Sequence, residues 1–124
     1  MGVIAFGDRP ESIWQAARWV YRRIMGDLAT AAGSDEGIRD AVEQALHLDG
    51  LHFDLLDRGL ASRIFAALET VAVATVNDAG SPRMRWKEGL DDKSRMRYQS
   101  TVRELLELLG RHSEHFRLNC HSER

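Results

Sequence analysis

The chain is poor in the two residue types that most restrict a backbone, with one cysteine, Cys120, and two prolines, Pro10 and Pro82, among 124 residues. A single cysteine excludes an internal disulfide and fits a reducing compartment. Because prolines are so few, long helices are unobstructed over most of the sequence. A long apolar run is also missing, since the most apolar stretch, 64–76, contains Glu69 and falls short of the roughly 20 residues that span a bilayer.

Sequence motifs of several functional classes are missing as well. The first residues contain no basic region and only a short apolar run, so a signal peptide is not expected. There is no Gly-x-Ser-x-Gly nucleophile elbow, and the scattered glycines form neither a P-loop nor a dinucleotide-binding motif. These patterns predict a cytoplasmic protein that has no membrane segment, is not an enzyme and uses no cofactor.

The composition is that of a globular protein with a core, at 44% hydrophobic and 29% charged residues. The formal net charge of −2 argues against a general nucleic-acid binder, which is usually clearly basic. The charge is unevenly spread, because 34–78 contains nine acidic and three basic residues, whereas 79–103 contains three acidic and seven basic ones. Either these segments pack together and cancel, or the acidic one faces a basic partner.

Hydrophobic periodicity is the main signal for secondary structure in this chain. Apolar residues recur at the spacing of one helix face in four segments, which predicts helices over about 8–33, 34–49, 57–76 and 91–110. Asp8 and Glu11 form a capping-box pattern at the start of the first helix, and Gly33 is a natural end for it. Gly110 is the expected end of the last helix.

Four segments are ambiguous or irregular. Residues 51–56 fit a short strand or a helical turn, and the β-branched residues in 71–76 leave a strand open as an alternative there. Residues 77–90 are rich in helix breakers and predict a long loop. From about 111 onward the sequence predicts a polar C-terminal tail. The predicted fold is therefore a single all-α domain over 1–124, a small bundle of about four helices, with a short extended N-terminal segment left open.

All five histidines fall into two clusters, of which the first contains His47, Asp49, His52 and Asp54. Imidazole and carboxylate ligands together suit zinc or another first-row metal. The spacing matches no established ligand pattern, and the alternative interpretation is a polar turn between two helices.

The second cluster, in the predicted tail, contains His112, His115, Cys120 and His121. The first two are three residues apart and would share a face if the last helix continued. Cys120 and His121 would then fold back to complete a tetrahedral set of nitrogen and sulfur ligands. This set is the better metal candidate, and a loosely ordered tail is the alternative.

A basic and aromatic segment, Arg83, Arg85, Trp86 and Lys87, is followed by further basic residues as far as 97. Such a segment would follow a nucleic-acid backbone while the indole stacks on a base. The alternative is a solvated loop that Trp86 anchors to the core. Nucleic-acid binding is therefore a minor hypothesis.

An interaction surface is the principal hypothesis. Glu36, Asp40 and Glu43 lie away from the apolar stripe of the second helix, so they predict an acidic outer face. Trp19 lies off the apolar stripe of the first helix among arginines, a composition typical of interface centres. The alternative is that Trp19 packs against the loop or the tail, with an arginine over its ring. These four residues predict a non-enzymatic interaction module, of the inhibitor, antitoxin, immunity or regulatory type, that binds a partner protein with a basic surface. A homodimer is left open.

Overall fold

The structure is a computed structural model that describes residues 2–7, 9–77 and 92–122, with side chains in the last segment at 93, 94 and 96–113. Within these residues the elements are β1 (Gly2–Ala5), β2 (Ile13–Ala16), α1 (Arg18–Ala32), α2 (Glu36–Leu48), β3 (Gly50–His52), α3 (Arg58–Asn77) and α4 (Asp92–Ser122). The prediction of about four helices is confirmed. The all-α class is only roughly right, because a small sheet accompanies the helices.

The sheet has the order β2-β1-β3, with β1 antiparallel to β2 and parallel to β3. Ile4 lies opposite Trp14 on one side and Leu51 on the other, and all three side chains are buried. Since side chains opposite one another project from the same face, this row packs the sheet against the helices. The other face carries the more exposed Gln15 and His52.

The prediction of one long helix from residue 8 is wrong over its first half. Residues 10–12 form a 3-10 turn, 13–16 form β2, and the α-helix begins at Arg18. Apolar residues at 13, 14 and 17 fit helical spacing, but the burial of Trp14 and Ala16 around exposed Gln15 has the period of a strand. Pairing with β1, which is not local in sequence, settled this ambiguity. The predicted end at Gly33 is confirmed, with a φ of 59° that favours glycine.

The second helix is confirmed, and the side chain of Asp35 caps its start. Asp35 accepts a hydrogen bond from the Ile38 backbone N–H at 3.2 Å. Asp35 also accepts a 3.0 Å bond from Arg63 Nε on α3. Both bonds lower the pKa of the Asp35 carboxyl, and the bond from Arg63 has the larger effect. The start of α2 is therefore attached to α3.

Segment 51–56 contains both structures that the sequence left open, a strand at Gly50–His52 and a 3-10 turn at Phe53–Leu55. The third helix is confirmed, and 71–76 is helical, so the strand alternative there is wrong. By length and composition alone, α3 is apolar enough to cross a membrane. Its residues Ile64, Leu68 and Ala72 are fully buried in this fold, as in the central helix of a bundle.

The last helix is longer than predicted, because its backbone continues through Gly110 to Ser122. The predicted helix end at Gly110 is therefore wrong, and the segment from 111 to 122 is helical rather than an irregular tail. Glycine costs only about 1 kcal/mol in a helix interior. The ring of His112, two residues beyond the glycine, is stacked on Phe6, and this contact offsets that cost. The predicted loop over 77–90 lies outside the described residues, except that Asn77 ends α3.

An aromatic cluster connects the sheet to α3 and α4. Phe6 is stacked between Phe53, at a centroid distance of 4.9 Å, and His112, at 5.3 Å. Phe65 of α3 meets Phe6 edge-on at 6.0 Å. Stacked and edge-on ring pairs add to the stabilisation that burial alone gives. The start of the chain, the turn after β3 and α4 are thus held around one group of rings.

Candidate partner-binding surface

The outer face of α2 is the exposed surface that matches the sequence prediction. The inner side of α2 is buried at Ile38, Val42 and Ala45, which are four and three residues apart. That spacing turns one side of the helix to the core and leaves the opposite side in solvent. Both ends of α2 are fixed to neighbouring helices, so this outer face is presented by a rigid element.

The three predicted acidic residues form one row. Glu36, Asp40 and Glu43 are all exposed, and their spacing of four and three residues places them side by side on the helix. In the part of the chain that the structure describes, none of the three carboxylates takes part in a salt bridge. Their carboxylates are therefore open to solvent and form no ion pair within the described fold.

The row continues beyond the residues that the sequence singled out. His47 is exposed, and Leu48 is exposed over 72% of its surface. Asp40, Glu43, Gln44, His47 and Leu48 line one shallow depression. We refer to Glu36 and these five residues as the α2 stripe. Leu48 was not predicted from the sequence, although its position at the end of the helix and off the apolar stripe was a signal.

Trp19 does not belong to this surface. The side chain is half-buried, and its ring lies 5.9 Å from the ring of Tyr98 on α4 at a tilt of 54°. The predicted exposed anchor is therefore a packing residue between α1 and α4. A tryptophan beside arginines is typical of the interface between two proteins, but Trp19 contacts another helix of the same chain. The apolar side chain that accompanies the acidic row is Leu48 instead.

The residues of the first histidine cluster serve separate structural roles or lie in solvent. Asp49 ends α2 in the left-handed conformation and accepts a 3.2 Å hydrogen bond from Arg18. His47 and His52 are exposed on α2 and β3, and Asp54 is exposed in the following turn. Over residues 2–7, 9–77 and the described part of α4, no three His, Cys, Asp or Glu side chains form a group that would hold a metal.

The second cluster lies along one continuous helix. His112 is half-buried and stacked on Phe6, at an interplanar angle of 11°. The backbone runs straight past Cys120, which is eight residues and about 12 Å further along the helix. The predicted fold-back of Cys120 and His121 is therefore wrong. The side chains of His115, Cys120 and His121 lie outside the described residues, so metal binding there stays a prediction.

The predicted nucleic-acid segment, Arg83, Arg85, Trp86 and Lys87, lies outside the described residues. The basic residues that follow it and are described, Lys93 and Arg97, are exposed at the start of α4. Exposed cations are the ordinary state of a solvated helix face. Nucleic-acid binding by this segment therefore stays a prediction.

A polar contact between α1 and α4 was missed by the sequence analysis. Trp19, Arg23 and Asp27 follow one another at four-residue spacing on the face of α1 that meets Tyr98. Burial raises the pKa of the Asp27 carboxyl, and Arg23 offsets part of that rise. Burial also raises the pKa of the Tyr98 phenol, and the charge of Asp27 adds to the effect. This group lies inside the helix packing rather than in an open cleft.

Comparison with known proteins returns no family model, no curated protein and no solved structure that matches this chain. Any functional conclusion therefore depends on the surface itself. The α2 stripe combines charge of one sign with an exposed leucine on a helix that is fixed at both ends. The arrangement suits recognition of a protein surface, because it offers steering by charge and a contact that excludes water.

Proposed function

We propose that this protein is a non-enzymatic interaction module that binds a partner protein through the α2 stripe and acts as an inhibitor, an immunity-type protein or a regulator. The partner carries a basic surface around an apolar contact. The observation that carries the proposal is the row Glu36, Asp40 and Glu43, which forms no salt bridge with the described residues and leads to exposed Leu48.

The acidic residues of the α2 stripe and Leu48 have different roles in the proposed binding. Three carboxylates on one helix face attract a cationic partner over about a Debye length, which is roughly 8 Å at physiological salt. They raise the association rate and reject partners of the wrong charge. Leu48 supplies apolar area that gains free energy only when a partner removes it from water. Because α2 is held at both ends, little conformational entropy is lost on binding.

The anchoring of α2 supports the rigid presentation of this surface. At its start, Asp35 bonds to Arg63 of α3 at 3.0 Å. At its end, the Tyr21 hydroxyl of α1 donates to the Ala45 carbonyl at 2.7 Å, and Arg18 donates to Asp49 at 3.2 Å. Rigid presentation of this kind favours the slow dissociation that an inhibitor needs.

The first experiment compares two double charge reversals. In Asp40→Lys with Glu43→Lys the stripe is altered, and in Glu11→Lys with Asp54→Lys the same change of net charge is made at exposed positions elsewhere. The variants are immobilised, and proteins captured from the native host are quantified by mass spectrometry. We expect at least one basic protein to be lost about tenfold with the stripe variant and retained with the control.

The captured protein is then purified and its association rate is measured against salt. Steering through the stripe predicts a rate that falls with salt for the wild type and depends less on salt for the stripe variant. Leu48→Ser is expected to speed dissociation, whereas Leu55→Ser, at a leucine that is 79% exposed, is its matched control. Equal capture by both double variants, with circular dichroism showing intact folds, would sink the proposal.

A further inference from the structure

The outer edge of β2 has a defined hydrogen-bonding state. The Phe6 N–H donates to the Ser12 carbonyl at 2.9 Å, so the pair 6–12 is hydrogen-bonded. Bonded and non-bonded pairs alternate in an antiparallel ladder, and the register pairs Ala5 with Ile13 and Val3 with Gln15. The backbone groups of Ile13 and Gln15 therefore point away from β1, toward the edge of the sheet.

Most of these outward groups are open among the described residues. The Ile13 N–H is used, since it donates to the Pro10 carbonyl. For the Ile13 carbonyl and for the N–H and carbonyl of Gln15, the described part of the chain supplies no hydrogen-bond partner. Of the strands in the described residues, β2 is the outermost on this side of the sheet. An edge strand with open donors and acceptors is a template for a further strand.

A wall of α4 faces this edge. Ile13, Trp14 and Gln15 line a groove of about 230 Å³ together with one face of α4, formed by Glu104, Glu107, Leu108 and Arg111. Trp14 fixes the strand to the helix, because its indole Nε1 donates to the Thr101 carbonyl at 3.0 Å. The groove is therefore bounded by a strand edge and by a helix that are rigidly joined.

The β2 edge and the α4 face that bound the groove are similar in length. The groove also carries a net negative charge. The α4 face rises about 10 Å from Glu104 to Arg111, which is close to the length of three extended residues. Two carboxylates, Glu104 and Glu107, line the groove against one guanidinium, Arg111, and all three are exposed. The groove thus fits the backbone of a short extended segment and favours a basic side chain.

We propose that this groove binds an extended, basic peptide segment of a partner protein by adding it as a strand to the outer edge of β2. The segment's backbone donates to the Ile13 and Gln15 carbonyls and accepts from the Gln15 N–H. Its lysine or arginine side chains lie toward Glu104 and Glu107. This site is distinct from the α2 stripe and does not depend on the proposed function of that stripe.

The test is an NMR titration of the full chain with a short blocked peptide of alternating lysine and valine. We expect a saturable shift of the Gln15 amide resonance and slower hydrogen exchange at that amide, at peptide concentrations up to about 1 mM. Two control peptides separate the contribution of the backbone hydrogen bonds from that of the charge. An N-methylated version lacks backbone donors, and a version with glutamate in place of lysine reverses the charge, so both are expected to bind about tenfold more weakly.

Two variants complete the test. Glu104→Lys with Glu107→Lys is expected to weaken binding of the lysine peptide about tenfold. Asp54→Lys with Asp57→Lys makes the same change of net charge at exposed positions after β3, on the other side of the sheet, and leaves binding unchanged. Absence of a saturable shift at Gln15, or equal binding of the N-methylated peptide, overturns the proposal. Protection of the Gln15 amide without any peptide overturns it too, because the edge is then occupied by a second copy or by another segment of this chain.

Discussion

The hydroxyl of Tyr21 on α1 donates a buried 2.7 Å hydrogen bond to the carbonyl oxygen of Ala45 in the last turn of α2. The same carbonyl accepts the backbone N–H of Asp49, which ends the helix. Two donors thus meet at one oxygen, and burial raises the pKa of the Tyr21 phenol, so it remains a donor at neutral pH. This contact fixes the end of α2 that carries His47 and Leu48.

Tyr21→Phe is expected to lower the free energy of unfolding by about 1 kcal/mol, because the ring still packs but the buried bond is lost. Urea denaturation followed by circular dichroism measures the change. Hydrogen exchange at the Asp49 amide is expected to become faster, since the last turn of α2 loses its contact with α1. An unchanged urea midpoint would show that the bond contributes no net stability.

Gly2→Ala is expected to destabilise the fold by roughly 1–3 kcal/mol, the usual range for an overpacked core. A Cβ at Gly2 would overlap the side chain of Tyr21, which is fully buried and cannot move aside freely. Gly26→Ala is the matched control. A Cβ there meets nothing within 4 Å, and alanine in a helix is favoured by about 0.5–1 kcal/mol. If both variants shift the urea midpoint in the same direction, the predicted steric overlap is wrong.

Asp27→Asn is expected to stabilise the protein at neutral pH. The pKa of the Asp27 carboxyl is raised in the fold, so the unfolded chain loses this proton first. Stability associated with Asp27 is therefore present below the ordinary pKa of 3.8 and is lost as pH rises through the folded value. The amide keeps a similar shape without a charge to bury.

The measurement for Asp27 is the difference in unfolding free energy between variant and wild type across pH. The difference is expected to favour the variant at pH 7 and to shrink toward zero in acid. Asp40→Asn, on the exposed outer face of α2, controls for the loss of one negative charge. A variant less stable than the wild type at pH 7 would mean that the attraction to Arg23 outweighs the burial cost.

The acidic row was predictable from the sequence, because helix periodicity alone decides which side of α2 faces solvent. Glu36, Asp40 and Glu43 follow from that period, and their exposure confirms it. Trp19 was not predictable in the same way. Whether a large apolar side chain off the main stripe is exposed depends on whether another helix covers it, and here Tyr98 of α4 does so.

The sequence by itself determined α2 and the first part of α3, because their apolar stripes and good helix formers act within one segment, whereas 71–76 also fitted a strand. Only the tertiary structure decided that Ile13–Ala16 is a strand, since the pattern there fits both periods and hydrogen bonds to β1 select one. It also decided that α4 continues through Gly110. The preferences of single residues for helix or strand differ by about 1 kcal/mol, whereas burying one leucine contributes more than that. Where the local preferences are nearly equal, contacts with other segments therefore decide the structure.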